Sequence, residues 1–194
     1  MFAARVVYAF GLDWLRPLEF YDSSAMDSPP KRMENFSVSR LSDVPAFAPL
    51  LASAHAREWG HLYANWSQVT ALADFRLEKR TSELPSTWVI HNQTGTLMGS
   101  ISLVKDDLPS HPGLNPWLAS LLVFSEFQGY GLGRVLMQKA LEVLRHYRYR
   151  HAFLFTEDKA PFFSKFSFSV YRQAQAEGHA VTIMKWTNPE TAQD

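Results

Sequence analysis

The sequence predicts an α/β fold, in which helices cover both faces of a twisted mixed sheet of six or seven strands. Short apolar segments of strand length alternate with longer segments of helical periodicity. Two of the most apolar segments, 117–124 and 151–155, are separated by one helical segment, which is the pattern of a parallel βαβ crossover. Other strand segments come in pairs around short turns, which is typical of antiparallel hairpins.

Composition and charge are those of one globular domain. The chain has 194 residues, enough for a sizeable core, and 46% of them are hydrophobic. Its 19 basic and 19 acidic residues cancel, so no strong field would attract nucleic acid or a membrane surface. Cysteine is absent, which excludes disulfides, a thiolate nucleophile and thiolate metal ligands. No apolar run approaches the ~20 residues of a membrane span, and we expect a cytoplasmic protein.

The chain divides into three regions. Residues 1–35 are predicted to be an N-terminal extension that packs loosely or serves in oligomer contacts, because the turn formers at 23–32 resemble a linker. Residues 36–187 contain the alternating strand and helix segments and form the main domain. Residues 188–194 are a polar tail, which we expect to be frayed.

The main domain begins with a predicted strand and two helices. Residues 36–41 alternate in polarity, as a half-buried strand does. The first helix is predicted to start from an N-cap at Ser42 or Asp43 and to end at about Trp59. A second helix is predicted over roughly residues 68–80.

Two hairpins and a short helix complete the predicted elements outside the centre of the domain. The first hairpin has strands at 87–91 and 96–105 around a glycine-containing turn. The last has strands at 170–174 and 180–186. The short helix covers residues 160–166 and follows the strand at 151–155.

The centre of the domain is a strand, a glycine loop and a helix in succession. Residues 117–124 are almost entirely apolar, as a strand buried on both faces is. Residues 128–133 place three glycines at every second position, and apolar residues then recur with helical spacing from Leu132. A helix start carries unsatisfied N–H groups and about half a positive charge, so this arrangement can hold a phosphate. A plain tight turn is the alternative.

The spacing of the loop narrows this interpretation. It fits neither the dinucleotide fingerprint Gly-x-Gly-x-x-Gly nor the P-loop. Through Gln128, Gly131 and Gly133 it fits Gln/Arg-x-x-Gly-x-Gly/Ala, and so resembles the acyl-CoA pyrophosphate loop of the GNAT N-acetyltransferase superfamily. The preceding strand is similar to the central strand of that family, and the resemblance covers roughly residues 36–186. It implies a GNAT-like acyl-CoA N-acyltransferase fold with acetyl-CoA as co-substrate.

The resemblance also implies which main-chain groups would hold acetyl-CoA. Those of Leu121, Leu122 and Val123 would pair with the pantetheine arm and the thioester, and the N–H of Leu122 or Val123 would polarise the thioester carbonyl. The pyrophosphate would be bound by the loop and first helical turn, which comprise Gln128, Gly129, Tyr130, Gly131, Leu132, Gly133 and Arg134. A solvated arginine is an equally good interpretation of Arg134.

The short helix departs from the family's pattern. The tyrosine usually proposed to protonate the leaving thiolate corresponds to Phe163, which has no proton to give. The asparagine that often meets the pantetheine corresponds to Thr156, and a glycine of the family corresponds to Ser167. Thr156 and Phe163 are still expected beside the cofactor. Water could protonate a thiolate, so these changes question the acid step more than the binding of acyl-CoA.

No residue stands out as a general base. Glu58, near the end of the first helix, is the first candidate and Asp107, after the third strand, is the second; a solvated carboxylate is the alternative for each. His55 and His61 are six residues apart and do not share a helical face, and the other histidines show no ligand spacing. We therefore expect no metal.

The predicted function is direct transfer of an acetyl group from acetyl-CoA to a primary amine of a small molecule. Three alternatives remain open: a non-catalytic acyl-CoA-binding or sensing module, an acetyltransferase for peptide or protein amines, and a structural domain in which the glycine loop is only a turn. No nucleic acid or membrane partner is expected. Dimers are common in the family, so a homodimer is one expected assembly.

Overall fold

A computed structural model of the protein describes residues 35–60, 66–78 and 84–191. These residues form one seven-stranded mixed sheet, in agreement with the six or seven strands that the sequence predicts. The strand order in the sheet is β1-β2-β3-β4-β5-β7-β6. The strands are β1 (Phe36–Arg40), β2 (Ser86–Asn92), β3 (Leu97–Val104), β4 (Trp117–Val123), β5 (His151–Thr156), β6 (Ser169–Ala176) and β7 (His179–Thr187).

The described helices lie on both faces of this sheet, which confirms the predicted fold class. They are α1 (Ala48–Trp59), α2 (Gln68–Leu77), α3 (Leu132–His146) and α4 (Ala160–Ser164). The side chains of α1 and α2 pack with Val89, Leu97 and Leu122 from one face. Those of α3 pack in a separate core cluster with Ile101 and Leu103. The two clusters arise because successive residues of a strand point to opposite faces.

The predicted parallel crossover joins β4 to β5 through α3. β4 and β5 pair in parallel through Trp117 and Phe153, whereas the other neighbouring strands of the sheet pair antiparallel. Both predicted hairpins are present, β2–β3 and β6–β7. In the β2–β3 turn, the side-chain oxygen of Asn92 accepts hydrogen bonds from the N–H groups of Thr94 and Thr96 at 3.0 and 2.8 Å.

α1 begins later than the predicted N-cap at Ser42 or Asp43. Residues 41–43 and 45–47 form two 3-10 turns, and the α-helix starts at Ala48 without a side-chain cap. The two turns are separated by Val44, whose φ of −129° and ψ of 56° lie outside the helical region. A residue that precedes proline is disfavoured in the helical region, and Pro45 therefore delays the start of the α-helix.

α2 starts at a capping box and ends before the predicted residue 80. The Ser67 hydroxyl accepts from the Thr70 N–H at 3.2 Å, and the Thr70 hydroxyl accepts from the Ser67 N–H at 2.8 Å. The helix stops at Leu77, because Glu78 is extended and its carboxylate accepts a hydrogen bond from the Thr87 N–H at 2.8 Å. This contact with β2 replaces the next helical turn.

The two chain ends differ in what the structure describes. Residues 1–34 lie outside the described residues, so the predicted extension stays a prediction. The prediction of a frayed C-terminal tail is wrong for Asn188, because this residue is fully buried. Its main-chain N–H donates to the Arg150 carbonyl at 2.8 Å and its side-chain amide donates to the Tyr149 carbonyl at 3.1 Å.

Within the described ranges, no helix has the length and apolar character needed to cross a membrane.

Candidate active site

The site is a gap between β4 and β5, which we call the β4–β5 opening. The two strands pair only through Trp117 and Phe153, near the start of β4, and the Phe153 N–H donates to the Pro116 carbonyl at 2.9 Å. No residue of β4 after Trp117 is paired with β5. The later residues of β4, including Leu121 to Val123, therefore have main-chain groups on the β5 side that the sheet does not use.

A β-bulge in β4 sets the direction of those groups. Ser100 of β3 pairs with Leu122, whereas Ser102 pairs with Ala119. One residue of β3 therefore faces two residues of β4, one of which is Ser120 with a φ of +51°. Bulges of this kind are frequent beside active sites, where they redirect the strand.

The register shows which N–H group faces the β4–β5 opening. Phe124 lies opposite Met98, and its N–H donates to the Met98 carbonyl at 3.0 Å. Hydrogen-bonded and non-hydrogen-bonded pairs alternate along an antiparallel ladder. Leu122 therefore directs its N–H towards β3, and Val123 directs its N–H away from β3, into the opening. Of the two candidate N–H groups, the structure favours Val123 over Leu122, and a catalytic role for either stays a prediction.

The glycine loop continues from the end of β4 to the start of α3. Gly129 and Gly131 have φ values of +81° and +78°, which is the left-handed region that glycine adopts at low cost. Gly131 is the N-cap of α3, and no side chain caps the helix. The N–H groups of residues 129–133 make no hydrogen bond to another described residue. Five main-chain donors without a partner in the described part of the chain thus lie in succession at the positive end of a 15-residue helix.

The shape of the loop fits an anionic group. A Cβ atom added at Gly129 or at Gly131 would meet nothing within 4 Å, so the space in front of the loop is open. Both glycines are exposed, whereas Leu132 and Gly133 are buried and anchor the first turn of α3. An open concave row of N–H groups at a helix start is the usual structure of a phosphate site. The residues present therefore fit the pyrophosphate of an acyl-CoA.

The side chains predicted to contact the cofactor have different surroundings. The Gln128 amide donates to the Val123 carbonyl at 3.0 Å and so ties the loop to the end of β4. Arg134 is exposed on the first turn of α3, and Tyr130 is half-buried against the core. The side chains of Leu121, Leu122 and Val123 are buried, so only their main chain can reach a ligand.

Thr156 and Phe163 lie at the carboxyl end of β5. The Thr156 hydroxyl accepts a hydrogen bond from the Lys159 N–H at 3.0 Å and closes the turn before α4. Phe163 is fully buried and packs edge-on against Phe162 and Phe168, with ring centroids 5.2 and 6.4 Å apart. The phenylalanine is thus held in the core, and its contact with a cofactor stays a prediction.

The two candidate bases are not brought together. Glu58 is half-buried on α1, one helical turn beyond His55. Asp107 is only 4% exposed and follows β3, whose last residue pairs with the first residue of β4. It therefore lies towards the opposite end of β4 from the glycine loop. In the part of the chain described, no group of three or more His, Cys, Asp or Glu residues could hold a metal ion.

A buried histidine beneath the bulge is a feature that the sequence analysis did not assign to the site. His55 of α1 is 1% exposed, and its Nε2 lies 3.1 Å from the Ser100 hydroxyl. The Ser100 hydroxyl in turn donates to the Ser120 carbonyl at 3.5 Å. Burial lowers the pKa of His55 to about 3, so its imidazole is neutral at ordinary pH. In the sequence, the available signal for this polar contact is Ser120, which interrupts the apolar run of β4.

Comparison with known proteins agrees with this geometry. Residues 51–168, more than half of the chain, match the model of the acetyltransferase (GNAT) family. The protein belongs to the GNAT family of acetyltransferases. No curated protein sequence matches the chain significantly.

Solved structures with this fold include proteins from several bacteria. The yncA protein of Salmonella typhimurium, solved with its cofactor acetyl-CoA, has a TM-score of 0.62 and 17% identity over 83% of this chain and 99% of that chain. The ribosomal-protein-S5-alanine acetyltransferase of Vibrio fischeri has a TM-score of 0.61 and 14% identity over 82% and 96%. The GNAT-family acetyltransferase of Streptococcus pneumoniae has a TM-score of 0.58 and 12% identity over 79% and 100%. These likenesses establish the fold.

Proposed function

We propose that the protein transfers an acetyl group from acetyl-CoA to a primary amine of a small molecule. The observation that carries this proposal is the continuity between the β4–β5 opening and the N–H groups of residues 129–133. A pantetheine arm has amide groups that pair with strand main chain, and it is joined to a pyrophosphate. The two parts of the site suit those two parts of one carrier.

The chemistry requires three groups at the thioester. The amine nitrogen attacks the carbonyl carbon, a C–N bond forms, the C–S bond breaks and the thiolate leaves. The Val123 N–H, which the strand register directs into the opening, would stabilise the negative charge that develops on the carbonyl oxygen. The proton of the amine passes to a base, for which Glu58 and Asp107 remain our candidates, directly or through water. Water supplies the proton of the leaving thiolate, because Phe163 has none.

An amine panel tests the proposal directly. The full chain is incubated with acetyl-CoA and a set of small primary amines, and the release of coenzyme A thiol is followed at several pH values. We expect release that depends on one class of amine and rises with pH through the pKa of a base. A parallel set of peptide amines is assayed in the same way, and release with the peptide amines alone would favour the peptide alternative instead.

A charge placed in the glycine loop tests where acetyl-CoA binds. Gly131→Glu puts a carboxylate among the N–H groups, and we expect the affinity for acetyl-CoA, measured by calorimetry, to fall by about a hundredfold or more because like charges repel in a partly desolvated site. Gly113→Glu is the matched control, since Gly113 also has a positive φ, +92°, and open space around it, but lies in the β3–β4 loop. Equal affinity in both variants would refute the assignment of the loop.

The sensing alternative is favoured by one observation, the buried Phe163 at the position of the family's usual acid. A sensor would bind acetyl-CoA in the calorimeter yet release no thiol with any amine in the panel. The two experiments together therefore separate the enzyme from the sensor. The homodimer, the cytoplasmic location and the absence of a metal, nucleic-acid or membrane partner stay predictions.

A further inference from the structure

We propose that Ser100, held by His55, is a positioning residue that maintains the β4 bulge and thereby directs the Val123 N–H into the β4–β5 opening. This inference rests on the proposed function for its consequence, but its geometry is independent of any ligand. Three buried groups form it in series: the His55 ring, the Ser100 hydroxyl and the Ser120 carbonyl, which are 1%, 0% and 4% exposed as residues.

The bulge needs support because its backbone is strained. Ser120 has a φ of +51°, a region that is unfavourable for a non-glycine residue and persists only where the surroundings impose it. A regular ladder would avoid this cost by pairing one residue of β4 with Ile101 of β3. In the bulged register, the Ser100 hydroxyl donates a hydrogen bond to the Ser120 carbonyl at 3.5 Å.

The direction of the Val123 N–H depends on that register. On one side of the bulge Ser102 pairs with Ala119. On the other side Ser100 pairs with Leu122, so two residues of β3 correspond to three residues of β4 and the pairing is shifted by one residue. Without the extra residue, each N–H and carbonyl group of β4 beyond this point would face the opposite neighbouring strand, since main-chain direction alternates with every residue. Val123 would then direct its N–H towards β3 rather than into the opening.

The hydrogen-bond directions follow from the one proton of the serine hydroxyl. Ser100 donates that proton to the Ser120 carbonyl, so its oxygen accepts a hydrogen bond from His55, and the tautomer that we assign carries its proton on Nε2. The ring is held by edge-on contacts with Trp59 and Phe75, at centroid distances of 4.6 and 5.2 Å. Burial keeps the imidazole neutral, so this arrangement does not change with pH in the ordinary range.

The strand supplies a matched control for the test. Ser102 lies two residues from Ser100, on the same face of β3, and is also buried. Its hydroxyl is 2.7 Å from that of Thr87 and does not contact the bulge. Ser100→Ala and Ser102→Ala therefore each remove one buried hydroxyl from the same face, and only the first removes the contact with Ser120.

The first measurement uses the protein without ligand. In 15N–1H NMR spectra, we expect Ser100→Ala to shift or broaden the amide resonances of Leu121 and Val123, and Ser102→Ala to leave them in place. His55→Leu should reproduce the effect of Ser100→Ala, whereas His55→Gln, which keeps an N–H donor, should preserve the wild-type spectrum. Equal spectra of the two serine variants at Val123 would overturn the proposal.

The second measurement uses acetyl-CoA labelled with 13C at the carbonyl. Infrared difference spectra report how strongly a bound thioester carbonyl is polarised, and we expect Ser100→Ala to lose most of the frequency shift seen with Ser102→Ala and the wild type. The affinity for coenzyme A should stay within about twofold, because the pyrophosphate contacts are elsewhere. With an acceptor from the panel, kcat should fall about tenfold at unchanged KM, a partial loss of one oxyanion donor.

The outcomes distinguish this inference from the proposed function. If the wild-type protein does not bind acetyl-CoA, the proposed function fails, and the ligand-free NMR comparison still decides whether Ser100 maintains the bulge. If the wild type binds acetyl-CoA with a shifted carbonyl frequency and Ser100→Ala keeps that shift, the inference about Ser100 fails and the proposed function stands.

Discussion

The two faces of the sheet are covered by helices of different character. The buried residues of α3 are seven apolar residues and one glycine: Leu132, Gly133, Leu136, Met137, Ala140, Leu141, Val143 and Leu144. On the opposite face, α1 buries His55 among apolar residues, and the strands beneath it present buried hydroxyl groups from Thr87, Ser100 and Ser102. One face is therefore apolar against its helix, and the other contains a set of buried polar groups.

This difference teaches what each face contributes. Apolar packing is strong but has little directional preference, whereas a buried hydrogen bond holds two groups in one relative position. The α3 face supplies stability to the sheet. The α1 face adds polar contacts, among them the hydrogen bond from the Ser100 hydroxyl to the Ser120 carbonyl of β4. By the proposal above, this contact maintains the bulge of β4 beside the β4–β5 opening.

The largest effect on stability at neutral pH is expected on the α3 face. Leu136→Ala removes a fully buried side chain, and we expect the free energy of unfolding to fall by about 3 kcal/mol, from lost apolar burial and the cavity that remains. Equilibrium denaturation with urea measures the change. Gln138→Ala, at an exposed position of the same helix, should change it by less than about 0.5 kcal/mol. A cost below about 1 kcal/mol for Leu136→Ala would contradict the assignment of stability to this face.

The next effect is a pH dependence that the α1 face contributes. The pKa of His55 is lowered to about 3 in the folded protein, against about 6.5 when unfolded, so the unfolded state binds the extra proton between these values. The contribution of His55 is fully present above pH 6.5 and is lost as the pH falls towards 3, by roughly 1 kcal/mol per pH unit. The sign is that of a buried neutral base.

His55→Gln isolates this contribution. The free energy of unfolding of the variant should fall less steeply between pH 6.5 and pH 4 than that of the wild type. Glu78, whose pKa is raised mainly by burial, contributes in the opposite direction, but it is present in both proteins and cancels in the difference. Parallel curves for the two proteins would show that His55 is not buried in its neutral form.

The smallest effect is expected from the hydroxyl groups of the α1 face. The Thr87 hydroxyl donates to the Glu78 carboxylate at 2.5 Å and lies 2.7 Å from the Ser102 hydroxyl. Thr87→Val keeps the shape and removes both contacts, and we expect a loss of about 1–2 kcal/mol in the free energy of unfolding at pH 7 because the carboxylate is left with fewer donors. Thr182→Val, at a half-exposed hydroxyl on β7, should cost less than half as much.

Much of the fold could be predicted from local sequence. The strand, glycine loop and helix at 117–147 have a strong apolar pattern and a specific glycine spacing, and the structure has each element where it was predicted. Helix ends were less predictable. α1 starts late because of the 3-10 turns around Pro45, and α2 ends early because Glu78 makes a contact with β2 that is distant in sequence.

The candidate site divides in the same way. Gly129 and Gly131 have the positive φ values that their spacing favours, because a glycine loop is a local structure. The choice between the N–H groups of Leu122 and Val123 cannot be made locally, since the direction of an N–H in a strand depends on its pairing with the neighbouring strand, which favours Val123. Residue spacing tests His55 only as a metal ligand, because its contact with Ser100, 45 residues away, cannot be predicted from a local pattern.

The sequence by itself determined the succession of strands and helices along the chain, the glycine loop and the family, because each depends on residues close together along the chain. Only the tertiary structure decided which main-chain groups face the β4–β5 opening. That direction depends on one extra residue in the pairing of β4 with β3. The Ser120 carbonyl in this bulge accepts a hydrogen bond from Ser100, whose hydroxyl contacts His55 of α1. Pairing between distant segments is set by packing and hydrogen bonds that form only in the folded protein.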